Sequence, residues 1–180
     1  YHAPAFSTSG IDMPALDVVS QLLFAEAAPL YQRLVVEEQV VDIFGGGSPD
    51  HRDPYLFTIV ARVKKQDRVD YVEGAVAAAL RGLQDKPVAP ERLDKVKSHL
   101  KYSFAVGLDT ADAVASSLAH YLSLTGDPDA VNKVYALYDR ITPDDVRAVA
   151  KKYFVPSERT VVTLAHAEGA ATGKGEGTSR

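Results

Sequence analysis

Apolar residues recur along the chain at two spacings, and the spacing separates helices from strands. A period near 3.6 residues predicts helices, and Asp12 and Thr142 precede two of them as capping residues. Thr142 is followed by Pro143 and two acids, which makes it the clearest helix start in the chain. The predicted helices cover residues 13–26, 29–37, 69–83, 93–107, 110–122, 131–141 and 142–153.

Strand patterns occupy the remaining apolar segments. Residues 2–6 contain a proline and are typical of an edge strand. Residues 40–44 (VVDIF) run into three glycines, and residues 55–63 alternate between an apolar and a mixed face. These two segments predict an antiparallel hairpin with a long loop. Residues 159–165 (RTVVTLA) predict a final strand.

The strands are grouped rather than alternating with helices, which predicts an α+β fold. We expect a mostly antiparallel sheet with helices packed on one of its faces. A chain of 180 residues has the size of one domain, which we place at residues 1–166. Residues 167–180 contain four glycines and no apolar period, so they predict a flexible tail.

Composition narrows the function classes. The chain has no cysteine, which excludes a disulfide framework, a thiolate metal site and a cysteine nucleophile. Its net charge of −4 argues against a nucleic-acid-binding surface. The apolar runs are too short for a membrane span, so we expect a soluble protein, periplasmic or cytoplasmic if it is bacterial. The chain opens on an apolar segment, which indicates a piece of a longer protein.

Motifs for a self-contained active site are missing from the sequence. It has no HExxH, HxxEH or GxSxG pattern. His51 beside Asp53 in a turn is either a metal ligand or a solvated loop residue. The glycines at 45–47 are either a phosphate loop or a hairpin connection, and the strand that follows favours the connection. We therefore assign no catalytic and no metal-binding residue.

Asp42 is the least expected residue of the chain because it interrupts the apolar segment VVDIF. Strand alternation puts it on the same face as Val40 and Phe44. Either this face is exposed to solvent or the carboxylate has a partner within the protein.

Three segments in order resemble a known family. They are ALDV at 15–18 followed by PLYQRLV at 29–35, then YDRITPDDV at 138–146 with AKKYF at 150–154, and RTVVTL at 159–164. The chain is similar over residues 2–166 to the second domain of zinc peptidases related to mitochondrial processing peptidase, insulysin and pitrilysin. The resemblance implies a half without zinc ligands, while an HxxEH-bearing half outside this sequence holds the zinc.

The chain departs from the family at two positions. Many members supply an arginine and, seven residues later, a tyrosine to the substrate, and these positions are Val35 and Asp42 here. A carbonyl-binding cation and an oxyanion-stabilising phenol are therefore both missing. The chain either belongs to a zinc-bearing subunit whose catalytic pair comes from a partner subunit, or to a homologue that has lost the chemistry.

The resemblance implies a non-catalytic domain that walls a peptide-binding chamber. Its partners would be the zinc-binding domain or subunit and unfolded peptide, with a homo- or heterodimer as an option. A peptide would add as a strand to an exposed sheet edge, for which residues 40–44 are the candidate. Val35, Asp42 and Phe44 are the candidate substrate contacts. The alternative is a catalytically dead homologue that acts as a structural or assembly module.

Overall fold

One buried helix organises the fold. The computed structural model describes residues 1–165. Helix α1 (Asp12–Phe24) buries nine of its thirteen residues, so it is surrounded on most sides. It packs against the sheet and against four of the later helices. A helix that is apolar almost all round belongs in the centre of a domain, and this one forms the middle of the core.

The remaining elements follow the predicted order. Strand β1 (His2–Ala3) comes before α1, and the short helix α2 (Pro29–Tyr31) continues as a π-helical segment at Gln32–Glu37. The later strands are β2 (Val41–Gly47), β3 (Tyr55–Leu56) and β4 (Thr58–Val63). The later helices are α3 (Val69–Asp85), α4 (Pro90–Val106), α5 (Ala111–Thr125), α6 (Ala130–Arg140) and α7 (Pro143–Tyr153).

The predicted hairpin is confirmed. Strand β2 pairs antiparallel with β4, and β1 pairs antiparallel with β3, which lies in the same extended stretch as β4. Strand β2 does not end at the glycines but continues through Gly47. Gly46 lies directly on Phe24, because a Cβ atom there would be only 2.6 Å from the ring carbon Cδ2. The glycine thus permits close packing of strand on helix.

A β-bulge interrupts β2 at Asp42. Val41 pairs with Val63 and Ile43 with Arg62, so Asp42 is the extra residue. The expectation that Asp42 and Phe44 share a face is wrong, because the bulge breaks the alternation. Asp42 is exposed, whereas Phe44 is buried.

The two faces of the sheet differ in their surroundings, and the predicted α+β class is confirmed. On β4, Ile59, Ala61 and Val63 pack against the core. The alternating residues Thr58, Val60 and Arg62 are exposed. The helices therefore cover one face of the sheet and leave the other open.

Of the two capping residues predicted from the sequence, one caps its helix and the other does not. Thr142 and Asp145 form the reciprocal hydrogen bonds of a capping box at the start of α7, as the sequence predicts. Asp12 does not cap α1 with its side chain. It accepts hydrogen bonds from Lys152 at 2.7 Å and from Tyr153 at 2.6 Å instead, so it joins α1 to α7.

The final strand predicted at 159–165 does not form. Arg159 pairs with Glu73 of α3 at 2.8 Å, and the chain then leaves the body of the domain. Val162 is 87% exposed and Leu164 is 100% exposed. An extended segment needs a neighbouring strand to satisfy its backbone, and within residues 1–165 no strand pairs with it. His166 and the predicted tail at 167–180 lie outside the described residues, and the domain boundary at 166 stays a prediction.

Candidate functional site

The outer face of the hairpin carries one ion pair. The Arg62 guanidinium donates two hydrogen bonds to the Asp42 carboxylate, at 2.7 and 2.8 Å. These bonds from Arg62 hold the pKa of Asp42 below its usual range. The sequence left two explanations for Asp42, a solvent-exposed face or a partner for the acid. Both hold, because its face is exposed and Arg62 is its partner. The apolar side chains Ile43 and Val60 are about half exposed on the same two strands.

The three candidate substrate contacts do not form one surface. Val35 lies in the π-helical segment and packs partly against the core. Phe44 is buried, and its ring centroid lies 5.5 Å from that of Phe24 and 6.3 Å from that of Tyr31. Only Asp42 presents its functional group to solvent. The role of all three in substrate contact stays a prediction.

The backbone of the predicted acceptor segment is already partly engaged. The Val40 N–H donates to the Leu34 carbonyl at 3.0 Å. The Ser20 hydroxyl, on α1, donates to the Gly46 carbonyl. Val40 lies in the predicted segment 40–44, whereas Gly46 lies just beyond that segment in β2. Each contact leaves one backbone group fewer for an added strand.

A second group of polar side chains lies where α1, α5, α6 and the loop after β2 meet. The Tyr138 hydroxyl donates to the Asp17 carboxylate at 2.7 Å. Asp50, in the loop, lies 4.0 Å from the imidazole of His120. Burial raises the pKa of Asp17 to about 7, against the opposing effect of the Tyr138 hydrogen bond. Burial likewise raises the pKa of Asp50.

Neither a metal site nor a membrane helix is found in the part of the chain that the structure describes. Within residues 1–165 no three histidine, aspartate or glutamate side chains are grouped so that they could hold an ion. The His51 ring lies against Tyr55, with centroids 3.9 Å apart, while Asp53 is exposed. Among the described helices, none is both long and apolar enough to cross a membrane.

Sequence reasoning missed Arg62 as the partner of Asp42. The signal was present, because Arg62 is the one charged residue in the alternating segment 55–63. The bulge prevented the pairing from being found, since the register of the two strands cannot be counted correctly without it. The contact of Asp17 with Tyr138 spans 121 positions and left no local signal.

The fold defines the class as an α+β domain, with helices on one sheet face and an exposed ion pair on the other. Residues 3–100 match the model of the peptidase M16 inactive domain, and the chain belongs to this family. The resemblance to the second half of zinc peptidases is confirmed, and with it the expectation of an inactive domain. No curated protein shows significant similarity to the chain.

Solved structures share the fold. A protease from Helicobacter pylori superposes with a TM-score of 0.78 at 24% identity, covering 88% of this chain and 38% of that protein. An inactive peptidase domain from Bordetella parapertussis gives 0.76 at 22% identity, covering 95% and 92% of the two chains. A chain of complex III2 from Candida albicans gives 0.68 at 17% identity, covering 84% and 38%. The present chain thus spans well under half of the first and third of these proteins.

Proposed function

We propose that the chain is the non-catalytic half of a zinc-dependent endopeptidase and forms a peptide-binding chamber with a separate HxxEH-bearing half. The observation that carries this proposal is the match of residues 3–100 to the peptidase M16 inactive domain. Zinc and the proton-transfer groups would be supplied by the other half. This half would contribute walls, peptide contacts and a surface that holds its partner.

The open face of the hairpin supports peptide binding. The Asp42–Arg62 pair is exposed, and the apolar side chains Ile43 and Val60 lie on the same strands. An extended peptide can place apolar side chains on such a face and position its charges relative to the pair. Asp42 would then influence which peptides are preferred.

Mutation of Asp42 tests this influence. We expect Asp42→Asn in the full-length parent protein to weaken binding of lysine-rich unfolded peptides and strengthen binding of glutamate-rich ones, each by roughly two- to fivefold at low salt. The reason is that Arg62 loses its partner and leaves a net positive charge. Fluorescence anisotropy with labelled peptides measures the change. Asp144→Asn, on α7, is the matched control, and equal affinities for both peptide types in all variants would contradict the proposal.

The metal content of the isolated chain gives a second test. We expect the 180-residue chain to hold no stoichiometric zinc and to cleave no unfolded peptide, because the ligands belong to the other half. Elemental analysis and a casein digestion assay measure both properties. One tightly held zinc per chain would overturn the assignment.

The alternative is a structural or assembly module without peptidase partners. The likeness of the fold to a chain of complex III2 from Candida albicans favours it. An HxxEH motif in the parent gene together with peptide binding by the full-length protein would exclude this alternative. Absence of both would establish it in place of the first proposal.

A further inference from the structure

Helix α5 is apolar on almost every side, yet it lies at the surface. Of its fifteen residues, only Asp112 and His120 can carry a charge near neutral pH. A helix with so few charged residues is normally surrounded by protein. Within residues 1–165, however, no residue of α5 is buried. The composition of the helix therefore indicates that a further surface covers it.

The two sides of α5 can be told apart by their exposure. The half-buried residues recur every three or four positions and face the body of the domain; they are Ala113, Ser117, Tyr121 and Leu124. The opposite side, which we call the α5 face, is exposed and consists of Ala111, Ala115, Leu118, Ala119 and Leu122. Leu118 is 44% exposed and Leu122 is 46% exposed.

Two copies of the α5 face are complementary in shape. Leu118 and Leu122 are four residues apart and form a ridge along the helix, while the three alanines, also spaced by four, form a groove beside it. When two such helices pack together, the ridge of each enters the groove of the other. The alanines allow the two helix axes to approach to about 8 Å.

The two charged residues of α5 match the same arrangement. Asp112 and His120 lie eight residues apart on one flank of the helix. In an antiparallel pair with its two-fold axis level with Ser116, Asp112 of each copy lies opposite His120 of the other. The same axis brings Val114 level with Leu118 of the second copy. A parallel pair would instead place Asp112 against its own counterpart.

His120 is available for this contact. Its imidazole lies 4.0 Å from the Asp50 carboxylate of its own chain, but half of its side chain is exposed. Asp112 is exposed as well. One acid and one base at a spacing that satisfies both of them twice are what a self-complementary surface requires.

We infer that the α5 face binds a second copy of this chain, through an antiparallel, two-fold contact between the two α5 helices. The inference goes beyond the proposed function, because it uses neither the zinc-binding half nor the open face of the hairpin. A helix of fifteen residues is about 22 Å long, so the contact is smaller than the roughly 800 Å² per partner of a stable interface. We expect a weak dimer with a dissociation constant of roughly 0.1–1 mM.

Self-association of the 180-residue chain tests the inference. Sedimentation velocity and NMR line widths at increasing concentration measure it. Leu118→Glu is expected to weaken the association by about tenfold or more, because it places a charge in the apolar contact twice. Val60→Glu, on β4, is the matched control, since Val60 is 52% exposed, and its dimerisation is expected to be unchanged. Circular dichroism checks that each variant is folded.

Charge reversal tests the antiparallel register. Asp112→Lys and His120→Glu are each expected to weaken the dimer by roughly three- to tenfold, because each change affects two contacts. The double variant is expected to regain the affinity to within about twofold, since the new lysine faces the new glutamate of the second copy. Within one chain the two positions are about 12 Å apart along the helix, so the recovery cannot arise there. Asp94→Lys, on α4, controls for the change in net charge and is expected to have no effect.

Four results would overturn the inference. They are a monomer at all concentrations, a double variant no better than the single ones, a larger effect of Val60→Glu than of Leu118→Glu, and self-association that is absent from the full-length parent protein. The third result would assign the contact to the open face of the hairpin, and the fourth would assign the α5 face to the other half. None of these measurements involves zinc or peptide, so their failure leaves the peptide-binding test of Asp42 independent.

Discussion

Asp17 joins two helices that are far apart in the sequence. Its carboxylate, on α1, accepts the hydrogen bond of the Tyr138 hydroxyl, on α6. The surroundings disfavour its charge, since burial and the nearby Asp50 both raise its pKa, which reaches about 7. In the unfolded chain the pKa is near 3.8. The folded state therefore binds one more proton than the unfolded state between these two values, and its stability falls as the pH rises through this range.

Asp17→Asn is expected to stabilise the protein at alkaline pH. The amide keeps an oxygen that accepts the hydrogen bond from Tyr138, but it carries no charge. The free-energy cost of burying an ionised carboxylate in the folded state at high pH therefore disappears. We expect a gain of about 1–3 kcal/mol in the free energy of unfolding at pH 8.5 and little difference at pH 4. Urea unfolding at several pH values measures it.

The control for this prediction is an exposed acid on another helix. Asp94→Asn, on α4, is expected to leave the pH dependence of unfolding unchanged. A constant difference between Asp17→Asn and the parent from pH 4 to pH 8.5 would show that the carboxylate does not bear the cost of ionisation that its burial implies.

At the scale of elements, the packing of β2 depends on two side chains of α1. Gly46 lies against the ring of Phe24, and the Ser20 hydroxyl holds the Gly46 carbonyl. A Cβ atom on the neighbouring Gly45 would instead enter open space, with no contact within 4 Å. The three consecutive glycines are therefore not equivalent, and only the middle one is required by packing on the helix.

Gly46→Ala is expected to destabilise the fold by about 1–3 kcal/mol, because the new methyl group overlaps the Phe24 ring. Gly45→Ala is the matched control and is expected to have little effect. Thermal unfolding followed by circular dichroism distinguishes the two variants. Equal effects of the two substitutions would show that loss of glycine flexibility, rather than the Phe24 contact, sets the cost. Adding Phe24→Leu to Gly46→Ala is expected to relieve part of the overlap.

At the scale of the molecule, the helices differ greatly in burial. Helix α5 has no fully buried residue, although Val114, Leu118 and Leu122 recur at helical spacing. These three side chains are between 38% and 46% exposed. The stripe therefore contributes less to the core than its sequence pattern implies. The adjacent helix α6, in contrast, buries Leu137 almost completely.

Leu118→Glu is expected to change the free energy of unfolding by less than about 0.5 kcal/mol, because the side chain is 44% exposed on a helix without a buried residue. Leu137→Ala is the comparison and is expected to cost about 2–4 kcal/mol through the cavity it leaves. Chemical denaturation of both variants measures the difference. A loss above about 2 kcal/mol for Leu118→Glu would show that α5 packs more tightly than its exposure indicates.

Local sequence patterns were enough to predict most of the helices and strands. The capping box at Thr142 and the period of the buried residues of α1 act within a few positions, so they can be read directly from the sequence. The grouping of strands was enough to predict the α+β class. The three similar segments were enough to identify the family, because the order and spacing of such segments are retained even where sequence identity is low.

Contacts between distant residues were decided only by the tertiary structure. The bulge at Asp42 changed the face of Phe44, and it brought Arg62 opposite the acid. The segment 159–165 has the composition of a strand, yet a strand also needs a neighbour, which composition does not specify. The sequence by itself determined the helices, the two strands of the hairpin and the family to which the chain belongs. The tertiary structure decided which backbone edges are paired and which carboxylates are buried, because pairing and desolvation depend on neighbours that lie far away along the chain.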